Sequence, residues 1–304
     1  MNTDTTNQPP RSLVRRAAAA ALLALVCWLP HTPMRAADVG LTIATGSPGR
    51  AYYGMGERLR EVGRERGLAV EVVATDGSLE NLTRLADAGD PVNVALTQSD
   101  VLHQFMADHP GFGVAVKVLE SIGLECVFAI ARADGAIDSF RAWQEAESPK
   151  VALPAPDSGV AVTHAIMAGL IPELAGDQPV YLDADAAIDA LSAEAGGVVD
   201  VVFSVHRAKF RGPELQAALE QPDRFRIIPI ADKRLELEFA DGTPVYQQMD
   251  LPLVRGSAAG NVSVETLCTK GLLVAAPAKL GDAAQAALQQ IIDYDWMRVY
   301  PQPR

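Results

Sequence analysis

Hydroxyl and glycine residues cluster in four short turns, each placed where an apolar strand pattern gives way to a helical pattern. The turns span residues 45–50, 75–78, 97–100 and 156–159. In open α/β sheets such turns gather at the carboxyl edge of the strands, where ligands bind. Free N–H groups at helix N-termini attract carboxylates and phosphates. One such turn alone is more typical of ordinary helix capping, but four at equivalent places predict a shared anion site.

Two arginines and a tyrosine pair accompany these turns. Arg50 closes the first turn, where it is consistent either with a bidentate clamp on a carboxylate or with a solvated side chain. Arg207 follows the strand pattern of residues 201–205, so we expect it near the carboxyl end of that strand and within reach of the cleft. Tyr52 and Tyr53 directly follow the first turn, and we expect one in the core and the other at a pocket wall.

Catalytic and metal-binding interpretations have little support in the sequence. Ser204 and His206 stand two residues apart on a strand pattern, but no partner acid is indicated. Asp100 and His103, with spacing i, i+3, are more typical of a capped helix face than of a metal site. No nucleophile elbow, phosphate-binding lysine loop or dinucleotide fingerprint is present. We therefore expect a protein that is not an enzyme, with no catalytic residue, no metal ligand and no cofactor.

The elements that must position the turns follow a repeated strand–turn–helix order. The predicted strands cover residues 39–44, 69–74 and 92–96, and helices follow at about 51–66, at 79–88 with Ser78 as N-cap, and from Ser99 or Asp100. This repetition is typical of a parallel sheet. Residues 114–132 then hold two apolar stretches, which predict two strands that leave this unit.

A second α/β unit is predicted from a strand at 151–153, a helix at about 160–169, and a strand at 199–205. Thr163 lies one turn into that helix and is a further candidate ligand contact. The chain closes with a strand at 271–275 and a helix at about 282–295. We therefore expect an α/β fold of two lobes with the chain crossing out and back.

The charge balance restricts the class of partner. The formal net charge is −12, and removal of residues 1–37, which hold four arginines and one aspartate, makes the rest more acidic still. Nucleic-acid binding requires a basic surface, so we expect no nucleic-acid partner. An anionic ligand would need a local positive field from helix N-termini or an arginine, because the global field repels it.

The N-terminus is typical of an export signal. Arg11, Arg15 and Arg16 precede an apolar run over residues 17–29 that is too short to span a bilayer comfortably. We therefore interpret residues 1–37 as a signal peptide and expect a periplasmic protein, with an uncleaved membrane anchor as the alternative. Export leaves Cys126 and Cys268 as either a disulfide or two buried thiols.

The order of the motifs resembles that of the TAXI-type solute receptors of TRAP transporters. The resemblance is carried by residues 43–53, by Thr75 to Asn81, and by Leu96 to Val101. Residues 156–159 with Thr163 and residues 200–203 follow in the family's order. The similarity covers nearly all of residues 39–295.

The resemblance implies a type II-like periplasmic-binding-protein fold with a ligand cleft between the lobes. Lobe 1 would comprise residues 38–128 and 229–304, and lobe 2 would comprise residues 129–228. The implied ligand is a small organic anion, such as glutamate, another amino acid or a dicarboxylate, delivered to the TRAP membrane subunits. We expect a monomer. The implied ligand contacts are hydroxyl and amide side chains of the turns: Ser47, Tyr52, Thr75, Ser78, Gln98, Ser99 and Ser158.

The sequence also departs from the family pattern. Arg50 and Ala51 replace a glycine and a threonine or serine, Val160 replaces a threonine, and residues 204–209 replace a glycine- and proline-containing loop. The two added arginines, Arg50 and Arg207, favour a ligand more anionic than an amino acid. Two other functions stay open: a sensor that presents its solute to a membrane sensor kinase, and a hydrolase that uses Ser204 and His206.

Overall fold

The computed structural model describes residues 40–193, 198–207, 212–239, 241–254 and 261–300. The predicted signal peptide lies outside these residues. Within them, no helix is both long enough and apolar enough to cross a membrane.

The first α/β unit alternates strands and helices as predicted. Its elements are β1 (Gly40–Ala44), α1 (Ala51–Glu65), β2 (Ala69–Val73), α2 (Ser78–Ala86), β3 (Val94–Gln98), α3 (Ser99–Asp108) and α4 (Phe112–Ala115). β1 pairs in parallel with β2 and with β3, which confirms the predicted parallel sheet. α1 buries Met55, Leu59 and Val62, because their spacing of four and three residues places them on one helical face.

The second unit follows a long strand and repeats the same alternation. Its elements are β4 (Lys117–Arg132), α5 (Phe140–Gln144), β5 (Lys150–Leu153), α6 (Gly159–Leu170), β6 (Gln178–Tyr181), α7 (Ala184–Ser192), β7 (Val201–Arg207), α8 (Pro213–Glu220) and β8 (Phe225–Ile228). β5 pairs in parallel with β6 and with β7. The chain returns through β9 (Gln247–Val254), β10 (Asn261–Ala275), α9 (Asp282–Tyr294) and α10 (Trp296–Val299).

Two long antiparallel strands, β4 and β10, join the two units into one sheet of order β2-β1-β3-β10-β4-β7-β5-β6. We call β1–β3 with α1–α4, α9 and α10 lobe 1, and β5–β7 with α5–α8 lobe 2. This is a two-lobed α/β fold in which the chain crosses between the lobes and returns, as expected. The expectation of two strands over residues 114–132 is wrong, since residues 117–132 form a single strand of 16 residues. The residue boundaries assigned to the lobes above stay a prediction.

Hydrophobic clusters cover both faces of the sheet in each lobe. In lobe 1, Met55 and Leu288 belong to a cluster on one face, and Leu82 and Phe105 to a cluster on the other. In lobe 2, Trp143 belongs to the largest cluster among the described residues and is fully buried. Burial of this apolar surface is the main force that fixes the helices against the sheet.

Cys126 of β4 and Cys268 of β10 form a disulfide, which resolves the choice left open by the sequence. The two residues lie directly opposite each other in the antiparallel ladder. The cross-link therefore ties the two connecting strands together between the lobes.

Candidate functional site

The turns of the two lobes meet face to face. The backbone N–H groups of Leu79 and Glu80, in the first turn of α2, donate to the carbonyl oxygen of Asp157 in lobe 2 at 3.2 and 3.4 Å. A Cβ atom on Gly159 would lie 1.6 Å from Gln98 Oε1, so glycine at this position allows the Gln98 side chain to lie against the start of α6. The turns that were predicted to form a shared site therefore lie at a closely packed interface between the lobes.

Asn81 holds the three turns of lobe 1 together. Its side chain is fully buried and donates to the carbonyl oxygens of Thr45 and Leu96. Its Oδ1 accepts from Thr75 Oγ1 at 2.6 Å. The predicted site residue Thr75 thus contacts Asn81, and Ser47, which is exposed, lies on the rim with its Oγ 3.4 Å from the Thr75 carbonyl.

Ser78, Gln98 and Ser158 come together at the centre of the interface. The prediction that Ser78 caps α2 is wrong: Gly77 precedes the helix, and Ser78 Oγ accepts from the backbone N–H of Gln98 at 3.2 Å. Ser158 does cap α6, since its Oγ accepts from Ala161 N. The Gln98 side-chain nitrogen is buried and makes no hydrogen bond to any described residue. It is a donor that a ligand oxygen would satisfy.

Asp100 is the most buried charged group of the interface, at 0% exposure. Its Oδ2 accepts from Thr163 Oγ1 at 2.6 Å and from Tyr246 Oη at 3.0 Å. Thr269 Oγ1 lies 3.3 Å from its Oδ1 and 2.7 Å from Ser99 Oγ. Burial raises the pKa of Asp100, and the hydroxyl donors act against this rise. The predicted contacts Ser99 and Thr163 are therefore joined through one carboxylate.

Tyr52 and Arg207 converge on a second buried carboxylate, Glu125 of β4. Tyr52 Oη donates to Glu125 Oε2 at 3.0 Å, and Arg207 Nε lies 3.9 Å from Glu125 Oε1. Arg207 also contacts Met55 and lies over the Tyr300 ring. Burial, partly offset by Arg207 and Tyr52, raises the pKa of Glu125 to about 7. Burial, reinforced by the Glu125 charge, raises the pKa of the Tyr52 hydroxyl.

Arg50 faces a third carboxylate at the rim. Its guanidinium lies 3.5 Å from Glu214 Oε1, and His206 Nε2 lies 3.2 Å from Glu214 Oε2. Burial acts to raise the pKa of Glu214, but His206 and Arg50 overcome it and lower this pKa to about 2. Both arginines expected at a ligand thus face carboxylates of the protein itself in this conformation.

The sequence reasoning missed Glu125, Glu214 and Asn81 as parts of the site. The sequence does indicate that Glu125 is unusual, because it is the only charged residue in an apolar stretch over residues 122–131. A charge in a buried strand requires a partner, and such groups cluster at functional sites. Glu214 carries no such signal, since it stands in the first turn of an ordinary helix.

The structure places an acidic residue beside His206, as a hydrolase would need, but within the part of the chain that it describes it shows no base that activates Ser204 as a nucleophile. Glu214 lies beside His206, but Ser204 Oγ is buried and makes no hydrogen bond to any described residue. Among the described residues, no group of three or more metal-ligating side chains converges on one point.

Comparison with known proteins supports the fold alone. No protein-family model and no curated protein matches the chain. A protein of Bordetella bronchiseptica RB50 is 15% identical, with a TM-score of 0.50 over 86% of this chain and 71% of its own. The periplasmic aliphatic sulphonate binding protein SsuA from Escherichia coli is 14% identical, with a TM-score of 0.43 over 86% of this chain and 72% of its own. The periplasmic VFT2 domain of BvgS from Bordetella pertussis is 11% identical, with a TM-score of 0.43 over 85% of this chain and 89% of that domain.

Proposed function

We propose that this chain is a periplasmic solute receptor that captures a small organic anion between its lobes. It would then deliver the anion to the membrane subunits of a TRAP transporter. The observation that carries the proposal is the convergence of helix N-termini, hydroxyl groups and the Gln98 amide from both lobes on one interface. Lobe closure around a ligand would bury it among these groups.

The positive field for an anion comes from the start of α2, α3 and α6 rather than from net charge. In the closed conformation the N–H groups of Leu79 and Glu80 are occupied by the Asp157 carbonyl. Separation of the lobes would release them, and a ligand carboxylate would take the place of that carbonyl. The buried Gln98 side-chain nitrogen would supply a further donor to the same carboxylate.

The test is a thermal-shift screen of the purified protein against L-glutamate, succinate, 2-oxoglutarate and glucose 6-phosphate. We expect one of these anions to raise the melting temperature, since a ligand at a hundredfold excess over its Kd stabilises the native state by about 2.7 kcal/mol. Gln98→Ala should abolish the shift. Gln104→Ala, which removes an amide that bonds Asp108 within α3, should leave it intact.

The proposal fails if no anion shifts the melting temperature and denaturing extraction followed by mass spectrometry releases no small molecule from the protein. A shift that survives Gln98→Ala would place the ligand elsewhere on the chain. A shift lost equally in both variants would show that the loss is not specific to the interface.

A further inference from the structure

Two buried carboxylates, Asp100 and Glu125, lie on either side of Thr269 at the base of the interface. Thr269 pairs directly with Glu125 in the β4–β10 ladder, and its hydroxyl lies 3.3 Å from Asp100 Oδ1. Glu125 also pairs with Arg207 in the β4–β7 ladder. The exposed fractions of Asp100, Glu125 and Arg207 are 0%, 7% and 4%. All three charges are therefore withdrawn from solvent.

The groups that act on the charge of Glu125 come from three elements packed around it, namely α1, β7 and α3. Tyr52 from α1 donates a hydrogen bond, Arg207 from β7 supplies the positive charge, and Asp100 from α3 supplies a second negative charge. β10 supplies Thr269, which carries no charge. With both acids ionised the cluster has one net negative charge, and an anionic ligand beside it would add another. Such an excess of like charge in a buried site is strongly unfavourable.

We propose that Glu125 is a proton-binding group of the ligand site, so that the anion is captured together with a proton. The inference rests on the proposed receptor function. The proton comes from solvent and binds a carboxylate oxygen of Glu125. Neutral Glu125 no longer offsets the Arg207 guanidinium, whose charge then acts on the ligand carboxylate instead. The pKa of Glu125, raised by burial to about 7, places this protonation within the physiological range.

Linked proton binding makes the affinity depend on pH in a defined way. Below about pH 7 Glu125 is already protonated, so the Kd should be nearly constant. Above that pH the Kd should rise about tenfold for each unit, because one proton must be taken up for each ligand bound. Between pH 6 and pH 8.5 the Kd should therefore rise roughly 30-fold.

The experiment is isothermal titration of the full protein with L-glutamate, succinate and 2-oxoglutarate at pH 6 and pH 8.5. Each titration is repeated in two buffers of different ionisation enthalpy. The difference between the two binding enthalpies gives the number of protons taken up per ligand in the wild-type protein itself. We expect close to one proton per ligand at pH 8.5 and few at pH 6. Glu125→Gln should bind with the same Kd at both pH values. Glu265→Gln, an exposed glutamate on β10, should keep the roughly 30-fold change.

The outcomes separate this inference from the receptor function. Binding with equal Kd at both pH values and no proton uptake overturns the inference and leaves the receptor intact. A roughly 30-fold change that persists in Glu125→Gln assigns the proton to another group and also overturns the inference. Absence of binding by all three anions at both pH values, together with release of no small molecule on denaturing extraction, contradicts the proposed function, and the inference with it.

Discussion

Thr163 Oγ1 donates a hydrogen bond of 2.6 Å to Asp100 Oδ2 and so links α6 of lobe 2 to α3 of lobe 1 through a fully buried carboxylate. Tyr246 donates to the same oxygen at 3.0 Å. A buried carboxylate is tolerated only where hydrogen bonds replace its lost hydration. The contact between the lobes is therefore also part of what keeps Asp100 stable inside the protein.

Replacement of Thr163 by valine should destabilise the protein. The variant keeps the shape of the side chain but removes a donor to a charged acceptor, which costs about 1.5–3 kcal/mol. The measurement is the free energy of unfolding from urea denaturation at pH 7. Thr83→Val, at an exposed position of α2, should change it by no more than about 0.5 kcal/mol. Equal losses in the two variants would show that Asp100 does not depend on Thr163.

Gly159→Ala should hold the lobes apart without unfolding them. Its methyl group would lie 1.6 Å from Gln98 Oε1 and 2.7 Å from Ser78 Oγ, so these two buried side chains must move or the turns must separate. We expect at least a tenfold loss of ligand affinity and a larger radius of gyration by small-angle scattering. Gly169→Ala in the same helix meets nothing within 4 Å and should change neither quantity. Unchanged affinity in Gly159→Ala would mean that this contact is not part of ligand capture.

Glu125 should make folding stability fall as the pH rises from about 4.5 to about 7. The native state keeps the proton over this range while the unfolded chain, with an ordinary glutamate pKa, has lost it. The stabilisation is therefore complete below pH 4.5 and is lost as the pH rises through 7. It amounts to roughly 3 kcal/mol over the whole range.

The measurement is the free energy of unfolding as a function of pH for the wild-type protein and for Glu125→Gln. The difference between the two curves should change by roughly 3 kcal/mol between pH 4.5 and pH 8, since the glutamine cannot titrate. Parallel curves would show that Glu125 does not titrate in this range.

Loss of the disulfide should lower stability by several kcal/mol. The cross-link joins residues 142 positions apart, and closure of so long a loop restricts the unfolded chain by about 4–5 kcal/mol. The double variant Cys126→Ala, Cys268→Ala should therefore unfold at a lower urea concentration than the wild-type protein. Alkylation and mass spectrometry of the wild-type protein should find no free thiol at either position. Alkylation of both cysteines in wild-type protein purified without reductant would contradict the pairing.

Much of the fold was predictable from the sequence, because strands and helices with clear periodicity alternate along the chain. The single strand β4 was not. Polar residues Glu120 and Ser121 beside Gly123 resemble a break, and Gly123 does adopt a left-handed φ of 91°. The strand nevertheless continues, because β10 pairs with the residues of β4 before and after Gly123. Shifts in the register of this pairing accommodate the irregularity. Tertiary pairing thus overrides a local signal.

The hydroxyl groups of the candidate site could be predicted from the sequence, but the pairing of its charged side chains could not. The turns that hold Thr75, Ser78, Gln98 and Ser158 follow strand ends, and topology alone brings such ends together. The partners of the arginines lie far away in sequence. Glu125 is 82 positions from Arg207 and Glu214 is 164 positions from Arg50. Sequence shows which side chains carry charge, but only packing shows which of them face one another.

The bond between Cys126 and Cys268 also decides how the lobes move relative to each other. The disulfide joins two residues that face each other in the ladder, so it fixes the register of β4 against β10. Shear between the lobes is thereby excluded, and bending and twisting about the tie remain. The two strands that connect the lobes therefore keep one alignment along their length, and we expect the turns of the two lobes to meet in the same register whenever the lobes close.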